Sequence, residues 1–506
     1  MQMKMTKKGI GSSVMLFSAK PEAHVDSQAV IPDYLPEVQR VLRSDAEVFV
    51  TGRQIAEQKI IVEGNIRFCA LYRSPDGELC STNQTTAWRQ TIDAAVPPDS
   101  AVFVTPRILR CSAQPISSRK IDLFGSFLLE TEIKGAKREE LLDGVEGADV
   151  ELKKETVSIK RFVSTYNRQF TISEDLELEN SRPSVMKLLC SRLYIADSDF
   201  KTVSGRVVVN GDAILEALYL GDVSSSAPHT IKFTIPFSQI TELDSTDNSE
   251  IEVSVSVVSY ALNVVSQPDG DNRRMSLDLI LGITAVNNLI ETVDLLFDGY
   301  SREFATEAQY GNFTAVTNCE RFEVPCSASG GVDFGEQTIE KVLDTRCTVN
   351  SVSLSTDKGE VTVFGSVTAV VMASDEDGEL SFIEKELEFE QKVNASGEGG
   401  ELSVKAAVSG SKTVQTGSGM EIRADVAAVV TRCESIDFQL MTDLKVNEEV
   451  KKQPPLTPLV LCFAGTGEDL WEIAKTYNTS TDIIKTQNGI DSDRLTHDEV
   501  LLIPTV

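Results

Sequence analysis

The chain has 506 residues, 41% of them hydrophobic and 25% charged, enough apolar material for several ordinary globular cores. Its 48 Lys and Arg stand against 77 Asp and Glu, a net charge of −29. A surface of that sign repels phosphate backbones and anionic headgroups, which argues against nucleic acid as a partner and for simple solubility. The N-terminal stretch MQMKMTKKGIGSSVMLFSAKPEA starts basic, but its apolar part is short and diluted by Gly and Ser, unlike a secretory signal. No run approaches the ~18–20 apolar residues of a membrane-spanning helix, so the chain reads as not membrane-spanning.

In chain order, the first informative feature is the window RVLRSDAEVFVTGRQIAEQKIIVEG (40–64). It returns without gaps as KLLCSRLYIADSDFKTVSGRVVVNG (187–211) and KVLDTRCTVNSVSLSTDKGEVTVFG (341–365). Each copy opens on a basic residue and two aliphatics. Each carries a β-branched residue at the same place (Val48, Ile195, Val349) and closes on Gly64, Gly211 or Gly365. Behind the glycine, NIRFCALYRSPDGEL and SVTAVVMASDEDGEL reach Asp-Gly-Glu-Leu at the same offset, while DAILEALYLGDVSSS gives the middle copy a variant turn. Asp-Gly between apolar runs predicts a hairpin, because glycine accepts positive φ in a tight turn. Closing strand pairs follow in KIDLFGSFLLE (120–130), RMSLDLILGITAV (274–286) and GMEIRADVAAVV (419–430).

The second and third copies also have leading strands, ETVSIKRFVSTYNRQFTI and NFTAVTNCERFEV, whereas the first shows no comparable lead. EIEVSVSVVSYALNVV (250–265) alternates with period 2 before an apolar run, the pattern of half-buried pleated strands. The chain is therefore expected to be mainly β, with three tandem antiparallel β-sandwich or barrel-like repeats at 25–135, 150–290 and 295–445. The charged, Gly-bearing EIKGAKREELLDGVEGADVELKKE (132–155) reads as a linker or exposed loop. VNEEVKKQPPLTP (446–458) reads as a hinge before the last module.

Residues 459–506 predict a small α+β module of order βααβ. LVLCF is the first strand and VLLIP the last. Thr466 is placed to cap the first helix, with Asp469 as the reciprocal acid. Leu470, Ile473, Ala474 and Tyr477 recur at i, i+3, i+4 and i+7 and give that helix one apolar face. Ser480 or Thr481 starts the second helix and Asn488-Gly489 ends it.

Catalytic signatures are missing. There is no H-E-x-x-H, G-x-S-x-G or P-loop, and the three histidines, His24, His229 and His497, fall in different modules in loop-like contexts that read as exposed. The acidic stretches SDEDGE (374–379) and QPDGDN (267–272) lack full calcium-loop spacing and coincide with expected hairpin turns. Nine cysteines without a C-x-x-C lie mostly in apolar strand-like surroundings and are expected to be reduced and buried, as in a cytosolic protein. No catalytic residue, cofactor or metal site is assigned, and the chain reads as no enzyme.

The C-terminal module resembles the LysM family through Gly467, Leu470, Trp471, Ile473, Ala474, Tyr477, Ile483 and Asn488. In that family two loops form a shallow groove for N-acetylated sugars. The resemblance places the groove at Thr466, Gly467, Glu468, Asp469 and Leu470 on one side and Ile490, Asp491 and Leu495 on the other. The second loop departs from the family, with His497, Asp498 and Glu499 where a Pro-Gly-Gln-like turn is common, and it is acidic. Trp471 reads as packing rather than sugar stacking.

The repeats resemble the SPOCS domain through IPDYLPEVQRVL, KIIVEG and the CALY…DGEL hairpin. Joined to a terminal LysM domain, they resemble SipL-type spore-coat morphogenetic proteins. That resemblance implies a scaffold in the cytoplasm of the mother cell, at the forespore surface, whose LysM module docks to the spore coat morphogenetic ATPase. The alternative is a peptidoglycan-binding protein of the cell wall or spore cortex.

Overall fold

The computed structural model describes residues 4–146, 149–221, 228–266, 272–332, 339–357, 359–375, 379–393, 400–416, 419–453 and 457–504. The first unit runs through β1 (Lys4–Ala19), β2 (Glu22–Val30), β3 (Arg40–Ala56), β4 (Lys59–Arg73), β5 (Leu79–Asp93), β6 (Ala101–Ser117) and β7 (Lys120–Glu146). The second holds β8 (Val150–Glu177), β9 (Val185–Val203), β10 (Arg206–Gly221), β11 (His229–Asp244), β12 (Ser249–Val265) and β13 (Arg274–Ser301). The third holds β14 (Phe304–Val332), β15 (Lys341–Asp357), β16 (Glu360–Ser374), β17 (Leu380–Val393), β18 (Glu401–Thr416) and β19 (Gly419–Lys451). After them come β20 (Leu459–Ala464), α1 (Leu470–Tyr477), α2 (Thr481–Asn488) and β21 (Glu499–Pro504).

One plan recurs three times, all antiparallel. A three-stranded meander, β3-β4-β5, β9-β10-β11 or β15-β16-β17, carries the repeated window and the hairpin behind it. Its apolar face packs on a second layer in which the lead strand pairs with the last closing strand: β1 and β2 with β7, β8 with β13, β14 with β19. The first unit thus has the lead that its sequence does not announce. The stretch GIGSSVMLFSA lies in β1, paired residue by residue with β7.

The closing glycines have a packing reason. Gly64, Gly211 and Gly365 each face an aromatic residue on the next strand: Trp88, Phe237 and Phe389. A Cβ on Gly64 would lie 1.9 Å from Phe49 O and 2.5 Å from the Trp88 ring, and one on Gly365 would lie 2.1 Å from Ser351 O. The aromatic ring covers the bare glycine while a bulged neighbour strand presses a carbonyl against it. The first hairpin turns as expected, with Gly77 at φ +84 and Glu78 N–H donating to Ser74 Oγ at 3.0 Å. The matching Asp377-Gly378 turn, the middle copy's 222–226 and most of QPDGDN lie outside the described residues.

The three units do not string out. Leu42, Leu189 and Leu343, the second aliphatic of each repeated window, meet in one apolar cluster with Leu71, Leu218 and Met372, which are themselves equivalent positions. The repeat therefore packs around a pseudo-threefold hub. Ionic contacts ring it. Asp45 of the first unit bonds Arg346 of the third at 3.0 Å, and Arg346 also holds Asp344 at 2.6 Å. Burial works against the Arg346 charge, but Asp45 and Asp344 more than offset it and raise its pKa. Glu47 takes the Leu193 N–H at 3.1 Å and the Tyr260 hydroxyl at 3.0 Å and pairs with Arg67, so it ties the first unit to the second.

A second convergence corrects the linker expectations. Residues 132–146 continue β7, 150–155 begin β8, and 446–451 end β19, whose last pair is Phe304↔Lys451. These long strand ends form a stem in which Ile10, Ile159, Val293, Leu295, Phe313 and Leu440 share one core drawn from all three units. Glu130, Glu132 and Lys134 alternate with buried Thr131 and Ile133, which suits a strand with one wet face, before the continuous charged run 137–140, and Gly135 is bare because the Ser100 hydroxyl would sit 2.6 Å from a Cβ there. The charge and glycine that suggest a linker are thus strand features. The prolines of the expected hinge (454–456) lie outside the described residues.

Two further expectations change. Cys69–Cys190 and Cys319–Cys433 are disulfides, the first between units and the second across β14 and β19, so these four cysteines are not reduced. Partners 121 and 114 residues apart are invisible in sequence spacing. Cys80, Cys326 and Cys347 are free and buried as expected. His24 and His497 are exposed, but the His229 ring packs 5.5 Å from the Tyr219 ring, its Nε2 is buried without a partner, and burial depresses its pKa.

Leu189→Ala opens a cavity where all three units meet. It is expected to cost about 2–5 kcal/mol and to lower the melting temperature of the whole body in one cooperative step; an unchanged calorimetric trace would remove the hub from the account. Gly365→Ala is expected to cost roughly 1–3 kcal/mol by urea unfolding. Gly9→Ala, with open space around its Cβ, is the matched control.

Candidate functional site

The C-terminal module folds from local signals. β20 and β21 pair antiparallel, with Leu461 opposite Leu502. Gly467, at φ +88, turns the chain into α1. Asp469, not Thr466, is the N-cap: its carboxylate accepts the Trp471 N–H at 2.9 Å. Thr466 instead donates its N–H and hydroxyl to Asp498 Oδ1 at 2.7 and 2.8 Å, which holds that carboxyl below its usual range. Ser480 caps α2, and Gly489 ends it at φ +68. Asn488 clamps the helix to β21 by bonding both Leu502 N and Leu502 O.

The two expected groove loops lie side by side. Gly467 N–H donates to Leu495 O at 2.8 Å, Leu495 N–H to Glu468 O at 3.0 Å, and Leu470 N–H to Asp493 O at 2.8 Å. Leu470 and Leu495 are core residues, 0% and 4% exposed, and Ile490 packs on the same core. Thr466, Gly467, Glu468 and Asp491 are exposed. Asp469 is spoken for: besides capping α1 it takes Lys153 Nζ of β8 at 2.7 Å. The rim carries Glu468, Asp491, Asp493 and Asp498, all exposed acids, with Asp493 paired to Lys485 at 2.6 Å and Asp498 held by Thr466.

The α1 face of the module rests on the stem. Trp471 is 6% exposed, and its Nε1–H donates to Asp298 Oδ2 of β13 at 2.8 Å. Lys475 Nζ reaches the same oxygen at 2.6 Å, while the Tyr310 hydroxyl and Gly299 N–H take Oδ1 at 2.7 and 2.8 Å. Tyr300 packs edge-on against Trp471, 5.0 Å between ring centres, and its hydroxyl donates to Thr479 O at 2.6 Å. Burial alone would raise the Asp298 pKa; the bonds from Lys475, Trp471, Tyr310 and Gly299 outweigh it and hold the carboxyl below 3.8. Sequence reasoning misses Asp298 and Tyr300, because their partners lie 173 and 179 residues further along the chain. The available signal is a carboxylate at the end of the apolar run LLF, which a partner must satisfy.

Two family models match the chain: SipL, SPOCS domain, over residues 37–116 and 184–264, and LysM domain over residues 465–504. The first spans β3 to β6 and then β9 to β12, that is, the meander and the first closing strand of two units. The chain has SipL-like architecture. Its SPOCS domains and its LysM domain are non-catalytic binding families and fit a sporulation-related protein with a module of the peptidoglycan-binding class. No curated protein and no solved structure matches the chain. Among the described residues no group of His, Cys, Asp and Glu is able to hold a metal ion, and no helix is long and apolar enough to cross a membrane.

Asp298→Ala strands the Trp471 N–H and the Lys475 charge. It is expected to weaken LysM docking by about 2–3 kcal/mol. In a Trp88→Phe background, Trp471 is the sole tryptophan, and its emission, excited selectively over tyrosine, should shift to the red with faster proteolysis between β19 and β20. Since the folded Asp298 pKa is depressed, its contribution is present above the ordinary aspartate range and is lost as pH falls through the depressed folded value. The Trp471 signal should therefore show an acid transition that Asp298→Asn lacks.

Proposed function

We propose that the protein is a non-enzymatic scaffold of bacterial spore-coat assembly, in which three SPOCS-like units form a rigid body and the LysM domain docks to a protein partner. The third unit joins the reading because β15 to β19 repeat the plan of the two matched units and complete the hub. The observation that carries the proposal is the seat of the LysM domain on Asp298 and Tyr300. The module already serves as a protein-docking fold within its own chain, with its tryptophan committed to protein rather than sugar. The acidic groove rim supports the same reading.

By resemblance, the partner is the spore coat morphogenetic ATPase, met in the mother-cell cytoplasm at the forespore surface; the Cys69–Cys190 and Cys319–Cys433 disulfides count against that compartment. A second reading, binding of peptidoglycan glycan in the wall or cortex, is favoured by the exposure of Thr466, Gly467 and Glu468 on the groove rim.

One experiment separates them. The full chain is incubated with purified peptidoglycan and, separately, recovered from sporulating mother cells after the wall is digested. The scaffold reading expects the coat ATPase to co-purify after digestion and little sedimentation with peptidoglycan. Sedimentation that Glu468→Lys alters, with no ATPase recovered, would replace it with the glycan reading.

A further inference from the structure

A cavity of about 160 Å³ opens between the first two units, away from the hub and from the LysM domain. Arg53 of β3, Ser100 before β6, Thr165, Tyr166 and Asn167 of β8, and Thr284 of β13 line it. Arg53 is half-buried, and its guanidinium donates only to hydroxyls, Thr284 Oγ1 and, at 3.3 Å, Ser256 Oγ.

No carboxylate pairs with Arg53 among the described residues. Burial alone pulls its pKa down, with no acid near enough to pull it back. That is out of character for this chain. Acids outnumber bases, and the other arginines at the unit junctions, Arg67 and Arg346, each hold a carboxylate. A desolvated cation without a counter-charge is costly, and a fork of unused N–H donors facing a polar cavity is the chemistry that recognises an oxyanion in two-pronged fashion.

The walls fit that role. Ser100, 9% exposed, turns its hydroxyl toward Gly135 and closes one wall without offering a donor. Thr284 is 3% exposed and already fixes the guanidinium. At roughly 30 Å³ per water, the cavity holds a few waters or one phosphate-sized ion. The net charge of −29 opposes anion entry at long range, so the site depends on short-range bonds and tolerates salt better than a surface site would.

We propose that this cavity binds a small tetrahedral oxyanion of the phosphate or sulfate class, clamped between the first and second units by Arg53. Because β3 and Ser100 come from one unit and β8 and β13 from the other, the bound ion would lock the junction.

Calorimetric titration and thermal unfolding of the full chain with inorganic phosphate, against chloride at matched ionic strength, test it. Wild type should bind phosphate saturably, with sulfate competing, and melt roughly 2–4 °C higher at saturation. Arg53→Met should abolish the saturable heat and the shift. Arg53→Lys keeps the charge but not the fork, so it should weaken binding about tenfold, and it carries the test if Arg53→Met does not fold. The same phosphate response in wild type and either variant, or no saturable heat in wild type, would overturn the site.

Discussion

Everything in this structure depends on a shortage of cover. Each meander buries one face on its own second layer, but the end that holds the repeated leucine is not closed by its own unit alone. Leu42, Leu189 and Leu343 share one cluster with Leu71, Leu218 and Met372 and with flanking residues such as Leu79, Leu220 and Leu380, so each unit helps to cover the others. The hydrophobic effect is indifferent to direction, so it gathers the three ends without choosing an order. Order comes from the ring of charge around them. Equivalent positions carry Asp45, Arg192 and Arg346; Asp45 of the first unit pairs with Arg346 of the third, while Arg192 is held by Glu216 of its own unit.

The repeated window, its closing glycine and its hairpin are legible in the sequence because they answer to local geometry. A strand end, a bulge beside a glycine and a positive φ each demand particular residues at a fixed spacing. The stem is not legible for the same reason in reverse. Residues 132–155 carry charge because one face of β7 and β8 is wet, and charge with glycine is also the mark of a loop. Only the pairing of β7 with β1 and of the start of β8 with the end of β13 distinguishes them, and each of those pairings spans a whole unit. The lead strand β1 is hidden likewise, since Gly and Ser dilute its apolar pattern.

The LysM domain shows the same division. Its helices, its caps at Ser480 and Gly489 and its apolar face follow from residues a few places apart. The wrong choice of Thr466 over Asp469 as cap is a local ambiguity, as both lie before the helix and both accept hydrogen bonds; the turn at Gly467 decides it. What no local rule reveals is the destination of the tryptophan. Trp471 meets Asp298, 173 residues earlier in the chain, and neither residue names the other.

The hub also fixes valency. A symmetric trimer of identical units would have presented three copies of anything attached to a strand end. Here one chain supplies all three units, and only the third runs on into a LysM domain. These three units thus keep the broad, many-sided surface of a trimer while seating the LysM domain of residues 465–504 at one place on the stem. A partner that engages that module meets it once per three units, so a lattice built through it would grow by single links, and any branching must come from the SPOCS-like faces themselves.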